Sequence, residues 1–269
     1  MTIGFIGAGK MARAVALGLV RGNVAAAENI VCCSRSRESA QAFLNLLSGA
    51  RWIADPAEVM QWADPVLLAI KPQQFAAVLP TLRNTSAGKL VISLAAGITL
   101  ARMAEWLPDA RLVRTMPNTP MQVSAGACVY AGARNASAHD LALTERILAA
   151  AGKAWRVEES QIDAITTLSG SGPAYIFHFI EALVQGALQL GLPEALARDL
   201  ARQTVLGSAQ LAAQSPLAPM ELAAQVKSPR GMTLAACAVL EDGDALNALM
   251  ARAMAAAAKR AGELARGEP

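Results

Sequence analysis

Thr2-Ile3-Gly4-Phe5-Ile6-Gly7-Ala8-Gly9-Lys10-Met11-Ala12 is the stretch that decides the fold. Ile3 to Ile6 is a short apolar run of the kind that forms a buried strand. It leads into Gly7-Ala8-Gly9-Lys10-Met11-Ala12, a G-x-G-x-x-A turn, and a helical repeat continues through Val15, Leu17 and Val20. Glycine at 7 permits the tight turn, glycine at 9 lets the backbone approach a pyrophosphate, and Ala12 is small enough for helix-on-strand packing. N–H groups at the helix start then serve the phosphates. A glycine turn alone also suits a βα connection with no ligand. Its place between a strand and a helix favours a dinucleotide site.

The next strand, Asn29 to Cys33, ends in Ser34-Arg35-Ser36-Arg37. A site for NAD usually carries Asp or Glu at this point to accept from the ribose 2′-hydroxyl. Here two hydroxyls and two guanidinium groups follow instead, and Arg matches phosphate oxygens with a fixed fork of donors. NADPH is therefore the expected cofactor, with NADH as the alternative. Further strands are expected at Arg51–Ile53, Val66–Ile70, Leu90–Leu94 and Arg111–Arg114. Asp55-Pro56-Ala57-Glu58 carries the cap, Pro and acid of a helix start. Alternating β and α elements indicate a doubly wound parallel sheet, the Rossmann type of α/β fold. Ligands of such sheets bind outside the carboxyl ends of the strands, at the loops beginning at Gly7, Ser34, Lys71, Ala95 and Met116. Shorter strands are expected at Ala127–Tyr130 and Ala154–Val157, flanking a helix capped by Ser137.

From about Ser160 the pattern is helical, through Ile176, Phe177, Ile180, Leu183, Val184 and Leu188, and again through Leu196, Leu200, Val205 and Leu211. Gly172-Pro173, Leu192-Pro193, Ser215-Pro216 and Ser228-Pro229 are expected helix starts with Pro in first position. The division expected is a dinucleotide-binding domain over 1–158 and a helical domain over 159–269. Broad Ala-rich apolar faces in the second suggest packing against another subunit, a self-contained bundle being the alternative.

Composition narrows the function. The 269 residues are 54% hydrophobic and 4% aromatic, with a net charge of +3. The Lys and Arg are scattered, which leaves no nucleic-acid footprint. Lys259-Arg260 and Arg266 read as a solvated helix end. Cys32, Cys33, Cys128 and Cys237 lack metal-ligand spacing, so no metal site is expected and a reducing cytoplasm suits them. No signal peptide is expected ahead of the first strand. Pro117, Asn118, Pro120 and Gly126 interrupt the longest uncharged stretch, so no membrane span is expected either. His139 reads as a surface residue and His178 as a core histidine. With no Ser-His-Asp set, metal cluster or P-loop in view, a cofactor is expected to carry the chemistry.

Lys227-Ser228-Pro229-Arg230-Gly231-Met232-Thr233 is the most informative stretch of the second half. Ser228 is read as an N-cap and Pro229 as the first helical residue, leaving the N–H groups of Gly231 and Met232 to hold an anion such as a carboxylate. Lys227 and Arg230 add positive charge and Thr233 adds a hydroxyl. Locally, an ordinary capped helix start fits as well. Ser169-Gly170-Ser171-Gly172-Pro173-Ala174-Tyr175 is a second stretch of small residues, open to close backbone approach.

Taken together, several pieces resemble the pyrroline-5-carboxylate reductase family over nearly the whole chain. They are Gly4 to Gly9 with Met11-Ala12, Ala69-Ile70-Lys71-Pro72, Arg114-Thr115-Met116-Pro117-Asn118-Thr119-Pro120, Leu168 to Tyr175, Gly191-Leu192-Pro193 with Gln203-Thr204, and Ser228-Pro229 with Gly231 and Thr233. The resemblance implies NAD(P)H-dependent reduction of 1-pyrroline-5-carboxylate to L-proline. It implies a helical domain interlocked in a homodimer, with dimers assembling further into rings of five. It places the reductant along Gly7, Ala8, Gly9, Lys10 and Met11, with Ser34, Arg35, Ser36, Ala69, Ile70, Lys71, Pro72, Ala95 and Gly97. It places the substrate carboxylate at Ser228, Gly231 and Met232, Thr233 at the substrate nitrogen, and Glu159 near the product site. The chain departs from the family pattern at Lys227, Arg230, Met232 and Pro56, where relatives carry Thr, Ser or Cys, Gly, a small residue and Asn. Two other functions are compatible with these residues: reduction of a different imine or a hydroxyacid, and NADP-dependent regulation without turnover.

Overall fold

The computed structural model describes residues 1–265; Arg266, in the expected basic helix end, lies outside them. The chain divides into two compact units, Met1–Ser171 with the residues from Ala258 on, and Gly172–Ala257. The boundary expected from the sequence is 158/159.

In the first unit the strands are β1 (Ile3–Ile6), β2 (Ile30–Cys33), β3 (Arg51–Ile53), β4 (Val66–Leu68), β5 (Leu90–Ser93), β6 (Arg111–Met116), β7 (Gly126–Gly132) and β8 (Gly152–Arg156). They form one sheet in the order β3-β2-β1-β4-β5-β6-β7-β8. The helices α1 (Lys10–Arg21), α2 (Arg37–Leu46), α3 (Pro56–Trp62), α4 (Phe75–Val78), α5 (Leu100–Trp106), α6 (Ala138–Ala149) and α7 (Ile162–Ile165) connect or follow these strands. Strand order reverses between β1 and β4, which puts the crevice of the open sheet at the end of β1. Helix starts follow their side chains. The Asp55 carboxylate accepts from the Ala57 N–H with Pro56 in first position, and Ser137 and Asp140 cap α6 reciprocally.

β6 and β7 are antiparallel, pairing Val113 with Gly132 and Met116 with Val129. The link from Pro117 to Ala125 holds only a short 3₁₀ turn, too little for the crossover that parallel pairing requires. The remaining pairs are parallel. Two apolar clusters fill the sheet's faces, one around Phe5, Leu19 and Phe43 and the other around Met60, Phe75 and Leu112.

The second unit contains α8 (Gly172–Gln189), α9 (Glu194–Gln214), α10 (Pro219–Gln225), α11 (Met232–Glu241) and the first part of α12 (Ala245–Ala265). α8 and α9 pack through Val184, Ala197 and Ala201. Gly191, at φ +84°, ends α8 with a backbone bond from Leu192 N–H to Ala187 O. Of the four expected Pro starts only Pro173 lies in a first turn; Pro193 caps α9, α10 begins at Pro219 and α11 at Met232. Ser215 ends α9 and its hydroxyl accepts from Leu217 N–H, so Pro216 belongs to a turn.

Candidate active site

The crevice is fixed by main-chain contacts. Gly7 sits at φ +110°, and a Cβ there would lie 2.5 Å from the Ala69 carbonyl oxygen. No other residue satisfies both conditions. Gly7 N–H donates to Cys33 O at 2.8 Å and Ala69 N–H to Ile6 O at 2.8 Å. The ends of β2, β1 and β4 are thus stitched side by side, and Gly7, Ser34 and the run Ala69, Ile70, Lys71 and Pro72 leave the sheet at one edge. Gly9 precedes α1 without any side-chain cap, and a Cβ on it would meet nothing within 4 Å. Ala12 is fully buried against the sheet. The start of α1 therefore offers uncapped N–H groups beside open space, which fits a pyrophosphate.

After β2 the hydroxyls are already engaged. Ser34 Oγ donates to Ser36 O at 2.7 Å and accepts from Trp52 Nε1 at 3.2 Å, while Ser36 Oγ accepts from Ser39 N–H at the start of α2. Arg35 and Arg37 are exposed and form no ion pair among the described residues. The serines shape the loop, and the guanidinium groups are what remains free for a phosphate. Trp52, eighteen residues from Ser34, carried no signal in the sequence that it would support this loop.

The strand β6 organises the other loops. Thr115 Oγ1 donates to Ser93 O at 2.8 Å, and Ser93 Oγ accepts from Ala95 N–H. Asn118 Oδ1 accepts from Ala127 N–H at 2.9 Å and Asn118 Nδ2 donates to Ser169 O at 3.0 Å. A Cβ on Gly170 would stand 2.7 Å from Met116 Cε. Asn118 and Met116 therefore meet Ser169 and Gly170, and the close approach favours glycine at 170. Residues Thr166–Gly170 form a π-helical turn at this junction.

Glu159, expected near the substrate, bonds to the start of α5 and to β6. Its Oε1 accepts from Leu100 N–H at 2.7 Å and pairs with Arg114 at 3.4 Å.

In the second unit Ser228-Pro229-Arg230-Gly231 is a turn, with Gly231 N–H donating to Ser228 O at 2.9 Å. Pro229 occupies its second position and Arg230, at φ +59°, its third, the arrangement of a type II turn. Ser228 is therefore not the N-cap and Gly231 N–H is not free. Gly231 is the N-cap, and the first uncapped N–H groups are those of Met232, Thr233 and Leu234. A Cβ on Gly231 would fall 2.1 Å from Ser228 Oγ, so any larger residue here would have to turn that hydroxyl aside. Lys227 turns to Glu241 at the far end of α11, and that bond raises its pKa. Its charge is thereby spent away from the turn. Met232 is 92% exposed and Thr233 is exposed as well.

Burial pushes the thiols of Cys32, Cys33 and Cys128 up to about 12, about 11 and about 12, so none is a nucleophile at neutral pH. His178 is exposed in the single chain, beside the exposed Phe177 and Phe179 of the same helix. Among the described residues no set of three or more His, Cys, Asp or Glu is placed to hold a metal ion. No helix among them is long and apolar enough to cross a membrane.

Known proteins match this architecture from end to end. Residues 159–264 match the family profile for pyrroline-5-carboxylate reductase dimerisation, and residues 2–97 that for NADP oxidoreductase, coenzyme F420-dependent. A pyrroline-5-carboxylate reductase of Pisum sativum is 40% identical, with 98% of this chain and 96% of the relative covered. One from Methanosarcina acetivorans is 40% identical over 97% of each. The solved structure of a pyrroline-5-carboxylate reductase from Coxiella burnetii superposes with a TM-score of 0.91 at 39% identity, covering 98% of both chains. That of Plasmodium falciparum pyrroline carboxylate reductase with NADP bound gives 0.87 at 26% identity, again over 98% of both. The glycine crevice, the paired central motifs and the Ser228 turn are parts of one inherited design: the chain belongs to the pyrroline-5-carboxylate reductase family.

Proposed function

We infer that this protein reduces 1-pyrroline-5-carboxylate to L-proline with NADPH. The observation that carries the reading is the end-to-end likeness to reductases of that name, which spans both the glycine crevice and the Ser228–Thr233 turn. NADPH supplies the hydride. Gly7 to Met11 hold its pyrophosphate, Arg35 and Arg37 its 2′-phosphate, and Ala69 to Pro72 with Ala95 and Gly97 line the rest of its site. The ring substrate is an imine bearing a carboxylate. We assign the carboxylate to the N–H groups at the start of α11, those of Met232 and Thr233, with Ser228 and Gly231 shaping the turn.

The imine carbon becomes electrophilic once the ring nitrogen is protonated. Thr233, whose hydroxyl has no partner among the described residues, orients that nitrogen or donates to it. Orientation of the reacting groups supplies on the order of 7–11 kcal/mol in favourable cases, so the site has no need of a strongly perturbed acid. The helical unit pairs with a second copy in a homodimer, and a ring of five dimers is the higher assembly we propose. Four cysteines without a disulfide among the described residues, three of them buried, suit a cytoplasmic location.

The test follows NADPH and NADH absorbance with pyrroline-5-carboxylate and then with a hydroxyacid. Turnover with the imine alone supports the reading, turnover with the hydroxyacid replaces it, and tight NADPH binding without turnover points to a regulator. Thr233→Ala should lower kcat by roughly a hundredfold, the scale of a positioned proton donor, with an unchanged melting temperature. Full activity in that variant removes Thr233 from the mechanism.

A further inference from the structure

We infer that Glu159 and Arg114 form a positioning device for the β5–α5 loop, residues 95–99, rather than part of the substrate site. The inference rests on the reading above that this loop borders the cofactor. Arg114 lies in β6 with its side chain only 3% exposed. Its Nη1 reaches Glu159 and its Nη2 reaches Asp163, while Nε has no partner. A guanidinium so deeply buried demands counter-charge. Glu159 supplies part of it, and the same Oε1 atom accepts from Leu100 N–H at 2.7 Å, across 59 residues of sequence. Leu100 is the first residue of α5, and Thr99 Oγ1 accepts from Arg102 N–H in the same turn. The two contacts satisfy two of the helix's unpaired N–H groups.

The other end of the loop is tied to the neighbouring residue of the same strand. Thr115 Oγ1 donates to Ser93 O at 2.8 Å, and Ser93 Oγ accepts from Ala95 N–H at 3.3 Å. Arg114, through Glu159, and Thr115, through Ser93, therefore bracket the loop from two consecutive positions of β6. Between the brackets Gly97 takes φ +75°, and a Cβ on it would meet nothing within 4 Å. Ala95 is buried and Ile98 packs on the sheet's second apolar cluster, so it is the turn at Ala96 and Gly97 whose shape rests on the tied ends. Asp163 differs from Glu159 in one respect that makes a test possible: it pairs with Arg114 but not with Leu100.

The experiment compares Glu159→Ala, Glu159→Gln, Asp163→Asn and Thr115→Val in the full-length protein. The readouts are NADPH dissociation constant without imine, kcat, KM for the imine, and thermal midpoint. Loss of the Leu100 contact in Glu159→Ala should weaken NADPH binding by about tenfold, the scale of one buried unpaired donor, with a fall in kcat. Glu159→Gln keeps an oxygen for Leu100 N–H and should restore most of that binding. Thr115→Val should weaken NADPH binding from the other end. Asp163→Asn should lower the thermal midpoint with the NADPH constant within twofold of wild type, on the order of normal surface-site variation. An unchanged NADPH constant in either Glu159→Ala or Thr115→Val overturns the device, as does equal loss in Asp163→Asn. A Glu159→Ala protein that raises only the imine KM returns Glu159 to the substrate site. If Glu159→Ala does not fold, Thr115→Val against Asp163→Asn still decides the matter: equal NADPH constants in the two overturn the device. A wild-type protein that binds no NADPH fails the underlying functional reading, a result distinct from any of these.

Discussion

The two compact units bury their apolar residues very differently. In the first, Ile3, Phe5, Phe43, Met60 and Phe75 are all completely covered by the unit's own sheet and helices. In the second, the buried cluster is Val184, Ala197 and Ala201, while Phe177 is 63% exposed and Val239 73%. A soluble surface rarely leaves so many large apolar side chains together in water. The sheet unit is complete as one chain, whereas the helical unit is finished only by association, which agrees with its match to a dimerisation profile. The lesson is that cofactor binding and assembly are built on opposite principles in the same polypeptide.

The largest expected effect tests that contrast directly. Phe177→Glu places a charge on the exposed helical face and should abolish assembly in sedimentation velocity, because burying an unpaired charge costs several kcal/mol. Val123→Lys, at an equally exposed position of the sheet unit, should leave the sedimenting mass unchanged. Equal behaviour of the two variants breaks the comparison. Next in size, Gly7→Val forces a Cβ onto the Ala69 carbonyl at a positive φ and should cost roughly 3 kcal/mol in local strain. Calorimetric titration should then detect no NADPH binding while the assembly survives.

Arg35→Ala comes third. It should raise the KM for NADPH about tenfold, the scale of one charge-assisted hydrogen bond, and leave that for NADH untouched. Asp140→Asn is the smallest. Burial by itself would raise the Asp140 pKa, but its bonds from Ser137 and the nearby Arg111 guanidinium outweigh this and hold it below the usual carboxylate value. A depressed folded pKa adds stability above the unfolded value near 4 and loses it as pH falls through the folded one. Melting curves should therefore show Asp140→Asn destabilised by about 1 kcal/mol at pH 7, with the gap from wild type closing in acid.

Elements whose cause is local could be read from the sequence. The glycine turn, the Asp55-Pro56 start of α3 and the Ser137 cap each carry their own reason within four residues, and each lies where expected. Pro was a poorer guide. It suits the second position of a turn as well as the first of a helix, so Pro216 and Pro229 were assigned to helix starts that lie three residues further on. The antiparallel turn into β7 was hidden because alternation of strand and helix says nothing about direction once the crossover is short. Glu159 and Ser34 took their meaning from partners 45 to 59 residues and 18 residues away, and no spacing rule reaches so far.

The turn before α11 has a consequence for inheritance. The donors we assign to the substrate carboxylate are main-chain N–H groups, and these do not change when a codon does. Arg230 stands at φ +59°, where a non-glycine residue costs roughly 1–2 kcal/mol, and Met232 points into solvent. Both positions can drift away from glycine and small residues while the recognition chemistry stays the same. Gly231 is more constrained, since a side chain there must displace Ser228 Oγ. A recognition element of this kind is conserved in shape and only loosely in spelling, so relatives that look divergent across these four letters can still hold the same carboxylate.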